Sequence, residues 1–435
     1  MTDSSPFELR DSDHTDLFGI FLAVHAVPGT VLFLHTTVGC KFKTQLHLVE
    51  HDWFRESHNQ RIWTGLEDVE LIRGTGKHLV QFAQTWYGRR TPDLVVVATN
   101  TVVDLSPSDV EVAVEELRER LPCPVILLNA PGYEGSLGRG YSRMIGAVMD
   151  LLDWDVEPDP RDVALIGYPF DRFEMDHAAN LRELKRLLAR LGLTASGTLF
   201  SGEGLAALRA TTKAKTLALL PLAQDLDTGK MTRKGRIRAP VDLPVGLNGT
   251  SRFLREIGGA AGVPKATIEE VIDAETAKVA PLLAHPARVL EDMHRVNVSV
   301  FLDAPLAAAV TAFLLDLGAA VRLVCVTGDD RTDMGSFKRA LNRHGVKDEE
   351  MPRVLLNPSR DAALGAFRDL RGPNEVHIVV GSAIQKQALA REGARVLELG
   401  YPSTSKHQIY PMPWMGYNGA VGLAQRLMDA MLKVF

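Results

Sequence analysis

One pattern recurs along the chain and limits what it can fold into. Short, continuously apolar and mostly β-branched runs stop abruptly at glycine or at small polar residues. Residues 31–34, 94–98, 125–128, 163–166, 216–220, 298–302, 321–326 and 376–380 all have this form. A run that is apolar on both faces fits a strand covered on both sides, as in parallel sheets. Segments with helical spacing separate them, at 79–86, 109–121, 178–191, 305–317 and 362–371. Strand and helix alternating in this way specify parallel α/β layers. At 435 residues the chain exceeds a single core, and the runs fall into three series. The expected fold is therefore α/β, with three Rossmann-like domains built on parallel sheets. The domains are expected at 1–157, at 158–290 with a connecting helix near 269–283, and at 291–413. A last helix, within 414–435, is expected to pack back on the body.

Composition excludes several function classes. The chain is 46% hydrophobic and 24% charged with a net charge of -5, so it carries no nucleic-acid footprint. No apolar run is long enough to predict a membrane span. Residues 1–16 are acidic and polar, without the pattern of a signal peptide. The three cysteines, Cys40, Cys123 and Cys325, make no disulfide framework, and a reducing cytoplasm is the expected location.

The chemistry is expected where the strand at 31–34 breaks off. It ends in Thr36, Thr37, Val38, Gly39, Cys40 and Lys41. Open α/β sheets place ligands outside the carboxyl ends of their strands. Gly39 frees the backbone for close approach, and Cys40 follows at the mouth of the turn. From the residues alone two readings of Cys40 stay open, a functional thiolate or a small buried hydrophobe. Cys325, inside an apolar run, reads as core.

Other features read as structural. His47 and His51 share a helix face but lack an evident third ligand, so solvation or capping is expected. Residues 72–76 read as a loop. The glycine-rich stretch 132–140 lacks the Gly-x-x-x-x-Gly-Lys-Ser/Thr pattern and reads as a lid or interface loop rather than a phosphate cradle. The basic cluster Lys230, Arg233, Lys234, Arg236 and Arg238 reads as a solvated loop, and a helix is expected to be capped near Thr250. No Gly-x-Gly-x-x-Gly follows the first strand, which argues against a plain dinucleotide-dependent enzyme.

A collinear set of residues carries a resemblance. It runs from Leu17, Phe18, Gly19, His25, Gly29, Thr30, His35, Val38, Gly39 and Cys40 to the stretch Phe200, Ser201, Gly202 and Glu203. It continues through 244–250 and 313–318 and ends at 415–420. In order and spacing this resembles the nitrogenase component 1 family and its nitrogenase-like reductases, on the β-type side. The resemblance implies a β-type subunit pairing with an α-type subunit in an α2β2 assembly. It further implies that an ATP-dependent homodimeric iron–sulfur reductase protein feeds electrons to an interface cluster.

The departures narrow this. The full β pattern has three cluster cysteines, and here the first and third positions fall on Thr15 and Thr101, leaving Cys40. Threonine is a poor iron ligand beside thiolate. The resemblance thus implies a shared [4Fe-4S] cluster, with Cys40 from this chain and three cysteines from the partner. That pattern is similar to the smaller subunit of chlorophyllide reductase, and to the β-like scaffold subunit of nitrogenase cofactor assembly. Gly39, Thr37 and Lys41 are placed to donate hydrogen bonds to cluster sulfur, beside Thr15 and Thr101. The expected activity is oxidoreductase, with a tetrapyrrole double bond as one substrate class. Glu203, His407 and Asp303 are the candidate proton donors. The alternative is a scaffold that holds a metallocluster precursor without reducing anything.

Overall fold

The structure is a computed structural model. It describes residues 15–38, 60–89, 91–105, 109–130, 135–167, 176–292, 296–328, 332–370, 376–401, 403, 410 and 412–432. The apolar runs form the centres of three parallel sheets. In the first, β1 (Thr30–His35) lies between β2 (Gln60–Trp63) and β3 (Leu94–Thr99), with β4 (Val125–Asn129) beyond β3. Every residue of β1 and β3 is buried, because helices cover both faces. Leu32 and Leu34 face one apolar core, and Val31 and Phe33 alternate into a second, under the helices Gly76–Tyr87 and Val110–Arg120.

The second sheet has the order β6-β5-β7-β8, from β5 (Asp159–Ile166), β6 (Thr194–Thr198), β7 (Ala214–Leu219) and β8 (Ile237–Pro240). The third has the order β11-β10-β9-β12-β13. Its strands are β9 (Val296–Leu302), β10 (Ala320–Val326), β11 (Arg353–Leu356), β12 (Val376–Gly381) and β13 (Arg395–Glu398). All the pairings are parallel. Strand order therefore reverses between β1 and β3 in the first sheet and between β9 and β12 in the third. In open α/β sheets these switch points are where a crevice opens.

Several local expectations are corrected. Residues 72–76 are not simply a loop, because a short helix, Asp68–Arg73, is closed at its start by reciprocal bonds between Glu67 and Glu70. Residues 137–140 of the glycine-rich stretch are the first turn of the helix Leu137–Leu151, with Ser136 as its cap. Gly140 serves packing there. A Cβ at Gly140 would strike the carbonyl oxygen of Asp16, and one at Gly19 would strike that of Leu137. The helices Asp16–His25 and Leu137–Leu151 thus touch backbone to backbone. Thr250 lies one turn inside its helix, Gly246–Ala260, with its hydroxyl bonded back to the Gly246 carbonyl at 2.6 Å.

The basic stretch is not uniformly solvated. Arg236 is buried, with its guanidinium 5.4 Å over the Trp154 ring and bonded to the carbonyls of Trp154, Val156, Thr212 and Arg233. It fastens the segment before β5 to β8. Cys325 is fully buried within β10, as the apolar run predicts.

Candidate functional site

The first candidate site is the carboxyl edge of the first sheet, at its switch point. His35 of β1 is in register with Thr99 of β3, so the chain beyond each strand leaves the sheet side by side. Thr36, Thr37 and Val38 follow β1, and Thr37 makes a parallel bridge to Leu66. Asn100 and Thr101 follow β3, Thr101 opening the short helix Thr101–Asp104. Thr15 is the N-cap of Asp16–His25, and its carbonyl accepts from Phe18 and Gly19. Gly39, Cys40, Lys41 and His407, together with His47 and His51, lie outside the described residues.

Beneath this edge a hydrogen-bonded histidine is locked in place. The Thr36 N–H donates to Thr64 Oγ1 at 3.3 Å, and the same oxygen shares a hydrogen bond of 3.0 Å with His35 Nδ1. Burial, then the neighbouring His78, pushes the His35 imidazole down to about 3, so it is neutral. His78 Nε2 bonds to the Thr64 carbonyl at 2.8 Å.

Glu203 is carried elsewhere. The Gly202 N–H donates to the carbonyl of Ala26 at 3.0 Å, just before β1 begins. Glu203 thus sits by the amino end of β1, a strand of six residues, or about 20 Å, from the edge that holds Thr37. Asp303 is the N-cap of the helix Ala304–Asp316, its carboxylate accepting from the Leu306 N–H at 3.2 Å. The two are not brought together.

Asp303 instead lines the second candidate site, a cavity of about 370 Å³ between the three sheets. The carboxyl ends of β9, β10 and β12 reach it through Asp303, Thr327 and Ser382. The helix Leu137–Leu151 and its cap contribute Arg139 and Ser136, and the segment after β7 contributes Leu222. The Ser142 hydroxyl lies 2.8 Å from the Gly138 carbonyl and 2.6 Å from that of Leu222, joining those two walls. Arg139 and His344 were not anticipated as site residues. The signal for Arg139 was Ser136 three positions earlier, an N-cap residue placing it in a helix's first turn.

Comparison with known proteins decides the family. The model of the nitrogenase component 1 type oxidoreductases matches residues 15–432. The chain belongs to that family. Among component 1 chains, it is 23% identical to the nitrogenase molybdenum-iron protein beta chain of Acidithiobacillus ferridurans, over 92% of this chain and 80% of that one. It is 22% identical to the beta chain of Methanothermobacter marburgensis, over 96% and 93%. The solved structure "Nitrogenase Cp1 at pH 6.5" superimposes with a TM-score of 0.79 over 100% of this chain and 95% of that one, at 16% identity, a likeness of fold. The relatives it resembles are beta chains of that family.

For a component 1 chain the donor set at the first sheet's edge is sparse. Among the described residues no group of three or more His, Cys, Asp or Glu could hold a metal ion. Thr15 and Thr101, where the resemblance expects cysteine, offer only hydroxyls. Cys325 is in the core, and Cys123 lies just before β4, at the opposite edge of the sheet, its thiol pushed up by burial. Cys40 is the one cysteine that the sequence places beyond the carboxyl end of β1. The described residues at this edge therefore supply no thiolate and no three-ligand metal site.

Proposed function

We propose that this chain is the β-type subunit of a nitrogenase-like, ATP-dependent two-component reductase. Cys40 supplies one thiolate to a [4Fe-4S] cluster at the interface with an α-type subunit, which supplies the other three, in an α2β2 assembly. The cluster would carry single electrons from an iron–sulfur reductase protein toward a substrate, for which a tetrapyrrole double bond is the leading class. The observation that carries this reading is the donor set at the β1/β3 switch point, where threonines stand at two of three ligand positions.

The surface around that edge supports a partner. Val38, Val69, Ile72, Leu105 and Val112 are exposed, at 64%, 53%, 76%, 81% and 71%. They belong to the segments that follow β1, β2 and β3, at the carboxyl edge. Large apolar side chains gathered at one edge mark a surface that another chain covers.

This chain's residues would do three things there. Cys40 would bind iron as thiolate. Backbone N–H groups at Gly39 and Lys41, with the Thr37 hydroxyl, would donate to sulfur and raise the cluster's potential. The neutral, hydrogen-bonded His35 holds the end of β1 from which this turn departs. Of the two proposed proton donors among the described residues, Asp303 lines the cavity, while Glu203 stands by the amino end of β1.

The test is to co-express the chain with an α-type partner chain, purify the complex anaerobically and count iron. The reading expects about four irons per αβ pair. About eight would contradict the one-thiolate arrangement. A cluster that is retained but never accepts electrons from the reductase protein would assign the chain to the scaffold role instead.

A further inference from the structure

We propose that the cavity between the three sheets binds an amphipathic organic anion, its acid group held by Arg139 and the first turn of Leu137–Leu151 and its apolar body by the third-sheet wall. The proposal stands on the cavity's own geometry and does not depend on the cluster.

The position is one at which a ligand is expected. The cavity opens at the carboxyl ends of β9 and β12, the strands between which the order of the third sheet reverses. Its volume of about 370 Å³ is that of a small-molecule site.

The charges select an anion. Three carboxylates line the cavity, and all are engaged. Asp242 accepts both bonds of the Arg343 fork, at 3.1 and 3.2 Å, with Arg252 at 3.7 Å. Asp303 caps its helix through the Leu306 N–H, and Asp225 interacts with other protein groups. Arg139 has no ion-pair partner among the described residues, although it lines the same space. Its stem has a built seat: a Cβ at Gly135, which has a φ of +81°, would come 2.9 Å from Arg139 Cδ. Arg139 also lies in the first turn of a 15-residue helix whose cap, Ser136, accepts only from the Arg139 N–H. The N–H groups of Leu137 and Gly138 remain for an acceptor, at the positive end of the helix dipole.

A second, independent donor points to a ligand. His344 lines the cavity and is only 6% exposed. Its Nδ1 accepts from Arg252 at 2.7 Å, which leaves the ring proton on Nε2. Burial, then Arg252, pushes the imidazole down to about 4, so it stays neutral. Nε2–H has no hydrogen-bond partner among the described residues and is not sealed from the cavity, so it is open to an acceptor there. An acceptor atom on a cavity ligand would satisfy it.

The remaining wall is apolar. Leu222, Leu243, Phe301, Ala308 and Phe337 contribute hydrocarbon and no charge. Free phosphate would leave that wall bare, and an uncharged hydrocarbon would leave Arg139 unused. An acid with an apolar body uses both.

The experiment uses the purified full-length chain in its complex and two fluorescent probes of similar size. One is the anion 8-anilinonaphthalene-1-sulfonate, and the other is the uncharged N-phenyl-1-naphthylamine. Both should bind saturably. Arg139→Gln, at an exposed position, should weaken the sulfonate by about tenfold and leave the neutral probe unchanged. Thr327→Trp, placed to fill the cavity, should abolish both. The proposal is overturned if Arg139→Gln leaves sulfonate binding unchanged, if it weakens both probes equally, or if Thr327→Trp spares them.

Discussion

His35 and Thr64 meet at the carboxyl edge of the first sheet, with Nδ1 and Oγ1 3.0 Å apart and both side chains buried. The contact joins the last residue of β1 to the residue after β2, next to the turn that leads to Cys40. It keeps an uncharged imidazole where a charged one would be costly. The pH dependence follows with a definite sign. The folded His35 resists protonation to about pH 3, and His344 to about pH 4, whereas unfolded histidine protonates near 6.5.

Between those limits the unfolded state binds more protons, so stability is complete above pH 6.5 and falls as the pH drops. Each histidine contributes about 1.4 kcal/mol per pH unit over that window. We expect the loss in thermal midpoint between pH 7 and pH 5 to be larger in the natural chain than in His35→Gln. Equal losses would show that His35 is not the residue being titrated.

The glycine contacts between Asp16–His25 and Leu137–Leu151 make a paired prediction. Gly140→Ala should destabilise by about 2–3 kcal/mol, because the added methyl meets a backbone carbonyl that cannot move aside. Gly259→Ala, in the last turn of Gly246–Ala260 with nothing within 4 Å of the new methyl, should be neutral or stabilise by up to about 1 kcal/mol. Urea midpoints of the two variants, measured together, separate steric exclusion from general sensitivity to glycine replacement.

Arg236 makes a prediction about geometry rather than charge. Its fork serves four backbone carbonyls and its face covers Trp154. Arg236→Lys keeps the charge but cannot reach all four, so it should cost about 2–3 kcal/mol, and Arg236→Met at least as much. A lysine variant with an unchanged urea midpoint would count against this role.

The strands of the three sheets were legible because parallel strands buried on both faces leave continuous apolar runs. β8 escaped because its first two residues, Ile237 and Arg238, are exposed, and β2 because a four-residue strand with Arg61 in it breaks the pattern. The helix Ala383–Leu389 escaped because it is only seven residues long. The family stretches were visible, but their purpose was not. The Gly416 N–H donates to the Pro244 carbonyl at 2.8 Å, a Cβ at Gly246 would come 2.6 Å from the Phe313 ring, and Ser251 and Tyr417 share a bond of 2.8 Å. Three stretches distant in sequence therefore join one another, as structural fastenings between the sheets and the last helix.

The candidate site was legible in its chemistry and only partly in its placement. Cys40, Thr15 and Thr101 could be singled out from residue type and order. That Glu203 falls by the amino end of β1 depends on how the segment after β6 docks on Ala26, a long-range contact with no local signal. Arg139 and His344 share the cavity only because three sheets meet there.

The most direct test of the central claim is the iron content and electron paramagnetic resonance spectrum of the anaerobically purified complex, with and without Cys40→Ala. If this chain supplies one thiolate to a shared cluster, the substitution removes or destabilises the four-iron signal while both chains still co-purify. An unchanged iron content and spectrum would contradict the account.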